Sequence, residues 1–239
     1  MTTLCQSRDD ENEALTLKLP KDGLEIVQHV PMGFAERDHN SLYLAPRRII
    51  EEEFKTAELN ALIDRMYSVM QAKSGVGIAA NQIGKRLQLF IIEAKEDNPR
   101  YKVLGPVAKQ VFINPTITQV STLRKNFWHG CLSANGEPRG NLASFEWIEY
   151  ECQNEQGDIQ KGRLDGFASV IFQHEFRHLM GGTYLDLSQQ LLEKDVLDAK
   201  IAKGELPFFE WVDETLPLMI KGYQLGSAIE ETSALDLRR

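Results

Sequence analysis

Residues 173–178 read Gln-His-Glu-Phe-Arg-His, and no other stretch restricts the fold as much. Two histidines four apart, His174 and His178, share one face in a helix, where their β-carbons lie about 5–6 Å apart and can serve a single metal ion. The neighbouring residues supply that helix. Asp165 can cap it, residues 166–180 contain no proline, and Gly181-Gly182 can end it. Phe167, Val170 and Ile171 precede His174 by seven, four and three residues, so the histidines continue a buried apolar face. Glu175 is turned about 100° from His174 and can reach a water on the metal without being a ligand. Neutral imidazole suits zinc, iron or nickel. Tyr184 stands six residues after His178, where an extended motif would place a third histidine, so the third ligand comes from elsewhere.

The rest of the chain is globular in composition. Its 239 residues are 42% apolar and 26% charged, enough for one sizeable core and too few for a second full domain. A net charge of -8 offers no positive field to phosphate backbones or anionic lipid, so no nucleic-acid site is expected. The longest strongly apolar run, Leu89 to Ile92, is far short of the roughly 18 residues of a membrane helix. The start, with Asp9-Asp10-Glu11, lacks the basic and apolar regions of a signal peptide, and a cytoplasmic protein is expected. The three cysteines are then thiols: Cys5 in an exposed tail, Cys152 as apolar filler, Cys131 within a motif.

Residues 1–13, polar and acidic, read as a disordered tail. Residues 14–186 form the expected catalytic domain, and 187–239 a helical extension packed on it with a frayed end. Apolar residues recur at helical period over 51–72, ahead of a glycine loop at Ser74-Gly75-Val76-Gly77. Strands are expected at 87–93, at 111–114 before Pro115, and at 145–152, followed by a turn at 154–158. Residues 189–221 look helical, interrupted by Gly204 and Pro207, and residues after Gly222 look frayed. Helices and strands segregated in this way make an α+β fold.

Two further segments join the histidine motif: Gly75-Val76-Gly77-Ile78-Ala79-Ala80-Asn81-Gln82 and His129-Gly130-Cys131-Leu132-Ser133. In order and spacing, G-x-G-x-A-A-x-Q, G-C-x-S and Q-H-E-x-x-H resemble the three motifs of peptide deformylases, over residues 24–186. The resemblance implies antiparallel sheets around a central helix that carries H-E-x-x-H. It implies Cys131 as third ligand beside His174 and His178, Glu175 as the proton carrier, and Gln82 with the backbone N–H of Leu132 as oxyanion donors. It also implies a peptide edge at Gly75, Val76, Gly77 and Gly130, and a methionine pocket from Phe127, Phe167, Val170 and Ile171. One divalent ion, Fe(II) in the cell and Ni(II) or Zn(II) as replacements, and an N-formylmethionyl nascent peptide as substrate follow, with transient proximity to the ribosome.

Three positions depart from the family pattern. His129 stands where a glutamate is usual, Arg177 where an aspartate is usual, and Ala143-Ser144 where a Pro-Arg pair is common. The two basic residues are expected to reverse local charge near the mouth of the site and to put its supporting contacts in doubt, with His129 close enough to approach the metal. They leave two alternatives to a deformylase: a hydrolase of another acylated amine, or a non-catalytic binding protein of the same fold.

Overall fold

The computed structural model describes residues 25–98, 104–134, 136–206, 209–211 and 216–229. The expected tail at 1–13, with Cys5, lies outside them. Among the described residues three helices, α1 (Ala57–Ala72), α2 (Gly166–Leu179) and α3 (Lys194–Ala202), accompany nine strands. The strands are β1 (Gly77–Ala79), β2 (Leu89–Ala94), β3 (Val107–Val120), β4 (Arg124–His129), β5 (Arg139–Phe145), β6 (Trp147–Gln153), β7 (Ile159–Asp165), β8 (Gln190–Leu192) and β9 (Phe209–Trp211). They form two antiparallel sheets, β1-β2-β3-β6-β7 and β8-β5-β4-β9. The expected α+β class is observed.

The apolar run in β2 explains the layering. Phe90 and Ile92 point to one face of the five-stranded sheet and pack with Phe172 and Phe176 of α2. Leu89 and Ile91 point to the other, where α1 lays down Leu59, Leu62, Met66, Val69 and Met70. A strand buried on both sides has no reason to alternate polar and apolar residues. The helix with the two histidines is therefore held against the sheet by a wall of aromatic rings. Phe172 meets Phe90 and Phe112 edge-on with centroids 5.0 and 4.9 Å apart.

Local signals shift several expected boundaries. The helix of 51–72 is a 3-10 turn at Glu51–Glu53 and then α1, because Lys55 adopts φ 62° and the Thr56 hydroxyl accepts from the Leu59 N–H at 3.2 Å. The strand expected to stop at residue 114 continues through Pro115 to Val120. Register slips between Ile113 and Thr116, so the missing proline N–H falls at a bulge. Asn114, at φ 51°, turns its amide onto both backbone groups of Ile49. The strand expected at 145–152 is β6 from Trp147 onward, Phe145 being the last residue of β5, and β7 pairs with β6 across the turn at 154–158. Asp165 precedes α2 without a side-chain capping bond and pairs instead with Arg163.

Beyond residue 187 the expected helix is largely replaced. Strands β8 and β9 pair with β5 and β4, with α3 between them. Residues 216–229 form a strap rather than a frayed end, and Met219, Ile220 and Ile229 in it are buried.

Candidate metal centre and peptide cleft

Each component of the site is placed by a different element. Helix α2 carries His174, Glu175 and His178 on its inward side, all three buried. The β4–β5 connection brings Cys131 over that face, with its Sγ 3.2 Å from His178 Nε2. Donor atoms of Cys131, His174 and His178 lie within 4.8 Å of one another. Tetrahedral coordination at bond lengths of about 2.1–2.3 Å separates donors by about 3.5 Å, so the trio fits one ion with a position to spare.

The electrostatics favour the imidazoles as ligands and oppose ionisation of the thiol until an ion takes the place of its proton. Burial, helped by the positive charge of Arg139, lowers His174 to about 4 and leaves its imidazole neutral. Burial and the neighbouring His174 also push His178 well below the ordinary range. The Cys131 thiol is pushed up to about 12, first by burial and then by the Glu175 carboxyl. Burial raises Glu175 well above the usual carboxylate range, and its Oε2 has no hydrogen-bond partner.

Gln82 sits in a short 3-10 turn, Ala80–Ile83, directly after β1. Its Oε1 accepts from the Ala79 N–H at 2.8 Å, which fixes the amide so that Nε2 faces Cys131 Sγ at 3.4 Å and Ser133 Oγ at 3.1 Å. The adjacent Asn81 donates to the His178 carbonyl at 2.7 Å, tying this turn to the end of α2. Among the described residues the Leu132 N–H donates to nothing, while the Ser133 N–H points at the cysteine sulfur at 3.4 Å.

A cleft opens over these groups. Ser74, Gly75, Val76 and Gly77 form one wall, Gly130 and Leu132 another, and Phe127, Phe167, Val170 and Ile171 the apolar floor, with Cys131, His174 and Glu175 at its end. Strand β1 is the outer strand of its sheet, so the cleft runs along a free edge. The substrate-side residues expected from the sequence are thus brought together. A second, polar cavity of about 520 Å³ shares Cys131 and Leu132 with the first.

His129 lines the cleft, whereas Arg177 does not. His129 is 2% exposed and stacks on His174 at 21°, Nδ1 to Nδ1 at 3.3 Å, where it lines the cleft beside that ligand. Arg177 is 1% exposed and lies on the back of α2. Its guanidinium packs where a Cβ on Gly182 would be, 2.7 Å from Nη2, beside the Asp186 carboxylate that Arg37 pairs at 2.8 Å. Burial lowers it to about 10. Arg177 therefore alters the support of the helix, whereas His129 borders the cleft as a buried ring against a ligand histidine. Two residues escaped the sequence reading. Ser133, which anchors Gln82, was visible inside the second motif. Arg139, whose guanidinium covers Gly130 and whose charge reaches the ligands, had no signal in the sequence.

The sequence pattern of the family described as polypeptide deformylase matches residues 37–194. A peptide deformylase of Leptospira biflexa is 35% identical over 138 residues, 58% of this chain and 76% of that protein. Peptide deformylase 2 of Pseudomonas putida is 38% identical over 147 residues, 62% of this chain and 81% of its own. Among solved structures, the Met-Ala-Ser-bound class I type b peptide deformylase of Acinetobacter baumannii superimposes with a TM-score of 0.61 at 27% identity. That match covers 70% of this chain and 96% of the other. With the ligand trio, the cleft and these likenesses together, the chain belongs to the polypeptide deformylase family and is an enzyme that removes the N-formyl group from newly made polypeptides.

Proposed function

We propose that Cys131, His174 and His178 hold one divalent ion, Fe(II) in the cell, and that Glu175, Gln82 and the Leu132 N–H carry out the proton transfers and charge stabilisation of deformylation. The observation that carries this reading is the convergence of three donor atoms within 4.8 Å beside a buried carboxyl, in a cleft that Phe127, Phe167, Val170 and Ile171 also line. When bound, the ion supplies Lewis acidity to a water molecule and to the formyl group. Glu175 takes the proton of the attacking water and delivers it to the departing amine nitrogen. A buried carboxyl with a raised pKa both accepts and retains that proton. Gln82 Nε2 and the Leu132 N–H face the developing oxyanion, and the Ala79 and Ser133 contacts to Gln82 keep its amide from rotating away.

The methionine side chain occupies the floor of Phe127, Phe167, Val170 and Ile171, and the peptide backbone adds along the Gly75-Val76-Gly77 edge as an extra strand. The chain beyond then leaves across the polar cavity at Leu132. The partner is a nascent formylmethionyl polypeptide met close to the ribosome, in the cytoplasm. Cys131 and Cys152 as free thiols support a reducing compartment, and no helix among the described residues is long and apolar enough to cross a membrane.

The test is formate release from a formylmethionyl peptide by protein prepared without oxygen and supplied with Fe(II) or Ni(II), beside Glu175→Ala. Metal-dependent turnover abolished in the variant supports the assignment. Uptake of metal without formate release refutes it, and other acylated amines become the substrates to try.

A further inference from the structure

Residues 216–229 lie wholly outside the family match, which ends at residue 194. Yet this strap reaches α2, which carries the two histidines, β5, which follows the Cys131 connection, and β3 in the other sheet. It first meets β5, the partner of β4 in the hairpin bearing Cys131. The Ala143 N–H donates to the Pro217 carbonyl at 3.0 Å, and the Met219 N–H donates to the Ala143 carbonyl at 2.9 Å. It next crosses the back of α2 between the two histidines. Tyr223 stands edge-on to Phe176 with centroids 4.8 Å apart, and Arg177 Nη1 reaches the Lys221 carbonyl at 3.5 Å. It ends on β3 in the other sheet. The Gly226 N–H donates to the Ile117 carbonyl at 2.8 Å, and the Tyr223 hydroxyl accepts from the Ile117 N–H and donates to the Ser227 carbonyl.

The contacts coincide with the unusual residues. Ala143 and Arg177 occupy two of the three places where the motifs depart from the family pattern, and both touch the strap. We propose that the strap at 216–229 is a positioning element for the metal centre, fastening the Cys131 hairpin to the His174–His178 helix across both sheets, with Tyr223 as its central residue. Cys131 and the histidines come from separate elements, and their donor spacing depends on how the hairpin sits over α2. Ligand geometry of that kind is set by the contacts behind the ligands. The departures at 143 and 177 are then adaptations to the strap and not marks of a decaying site.

The inference rests on the assignment of Cys131, His174 and His178 as ligands, and the experiment separates the two. The full chain, Tyr223→Ala, Tyr223→Phe and, as a control in the other core cluster, Met66→Ala are loaded with Co(II). Stoichiometry, the cobalt–thiolate absorption and the rate of Co(II) transfer to a chelator are recorded with the melting temperature. Tyr223→Ala is expected to release Co(II) at least about tenfold faster with an altered thiolate band, the lower end of what losing a ligand-supporting contact costs. Met66→Ala should lower the melting temperature and leave the release rate unchanged. A Tyr223→Ala protein that melts lower but keeps the native band and release rate overturns the proposal. If that variant does not fold, Tyr223→Phe decides, since it removes only the hydroxyl bridging Ile117 and Ser227, and unchanged release again overturns it. Failure of the unaltered chain to bind one Co(II) refutes the ligand assignment itself, and the strap's role falls with it.

Discussion

Gly77→Ala is the sharpest single-atom test of the site. A Cβ at Gly77 would sit 2.2 Å from Glu175 Oε1, 2.7 Å from its Cδ and 2.8 Å from its Cγ. Gly77 does not have a positive φ, so the new methyl brings no backbone strain and acts only through that collision. The backbone cannot retreat easily, because Gly77 pairs with Ile92 in the ladder and α2 is braced behind by Phe172 and Phe176 against β2 and β3. Glu175 must rotate. Restoring the 3.4 Å of ordinary contact moves its carboxyl by about 1.2 Å.

A displacement of about 1 Å in a proton-transfer group costs on the order of 10²-fold in rate, or about 2.7 kcal/mol in barrier. Overpacking should also lower stability by about 1–3 kcal/mol. The assay is kcat for formate release at saturating formylmethionyl peptide, with metal content measured on the same sample. Gly75→Ala is the comparison. Its Cβ would approach Leu132 Cδ1 at 3.0 Å and Met70 Cγ at 3.3 Å, so its effect should fall on KM as the cleft wall shifts. A Gly77→Ala enzyme with full metal content and kcat within about threefold of the parent would refute the placement of Glu175 as proton carrier.

Cys131 predicts a proton count. Its thiol is held up to about 12, His174 down to about 4 and His178 well below its ordinary range, so near neutrality the cysteine alone of the three ligands has a proton to lose on binding an ion. Calorimetry in buffers of different ionisation enthalpy should show about one proton released per ion, with affinity rising about tenfold per pH unit below the thiol pKa. Glu175→Gln should lower kcat by about 10²–10⁴. It should also raise the melting temperature of the metal-free protein at pH 7. The folded-state pKa of Glu175 lies above 4.5, so its contribution to stability is intact below that pH and is lost as pH rises. The gain should be about 1–3 kcal/mol at neutral pH and vanish near pH 4 in thermal melts. Thr56→Ala removes the acceptor for the Leu59 N–H and should destabilise the fold by about 1 kcal/mol by denaturant titration, with kcat unchanged.

The parts of the molecule legible in the sequence are those set by local rules. Helix α2 was readable because proline-free residues, a histidine pair and a terminal glycine at φ 82° all agree on one element. Signals from distant partners were not readable. Periodicity ran the first helix back to residue 51, because nothing in Lys55 announces a left-handed turn. Pro115 looked like a stop because the bulge that accommodates it depends on pairing with β6. Residues 189–221 have helical composition, but the free edges of β4 and β5 recruit two pieces of them as strands. Arg177 read as a charge near the mouth of the site for the same reason. Its neighbours Asp186 and Arg37 come from the turn after α2 and from a segment 140 residues upstream. The candidate site residues were brought together more nearly as expected than the fold, since they lie in three short motifs whose internal spacing already restricts them.

The distribution of buried polar and apolar groups separates stability from function in space. The face of the five-stranded sheet toward α1 is filled by Leu59, Leu62, Met66, Val69 and Met70 against Ile78, Leu89, Ile91 and Ile113, with no titratable group among them. Loss of any of the large side chains there costs about 2–5 kcal/mol. The other face carries the same kind of packing only behind α2. In front of the helix, His129, His174, Glu175 and His178 are buried, with unpartnered atoms on His129 and Glu175. Groups of this kind oppose folding until an ion or a substrate compensates them. The seam between α2 and the Cys131 hairpin thus gathers buried groups that oppose folding of the metal-free protein. Damage near α1 should unfold the whole chain, whereas damage along the seam should show first as loss of metal from a protein that is still folded.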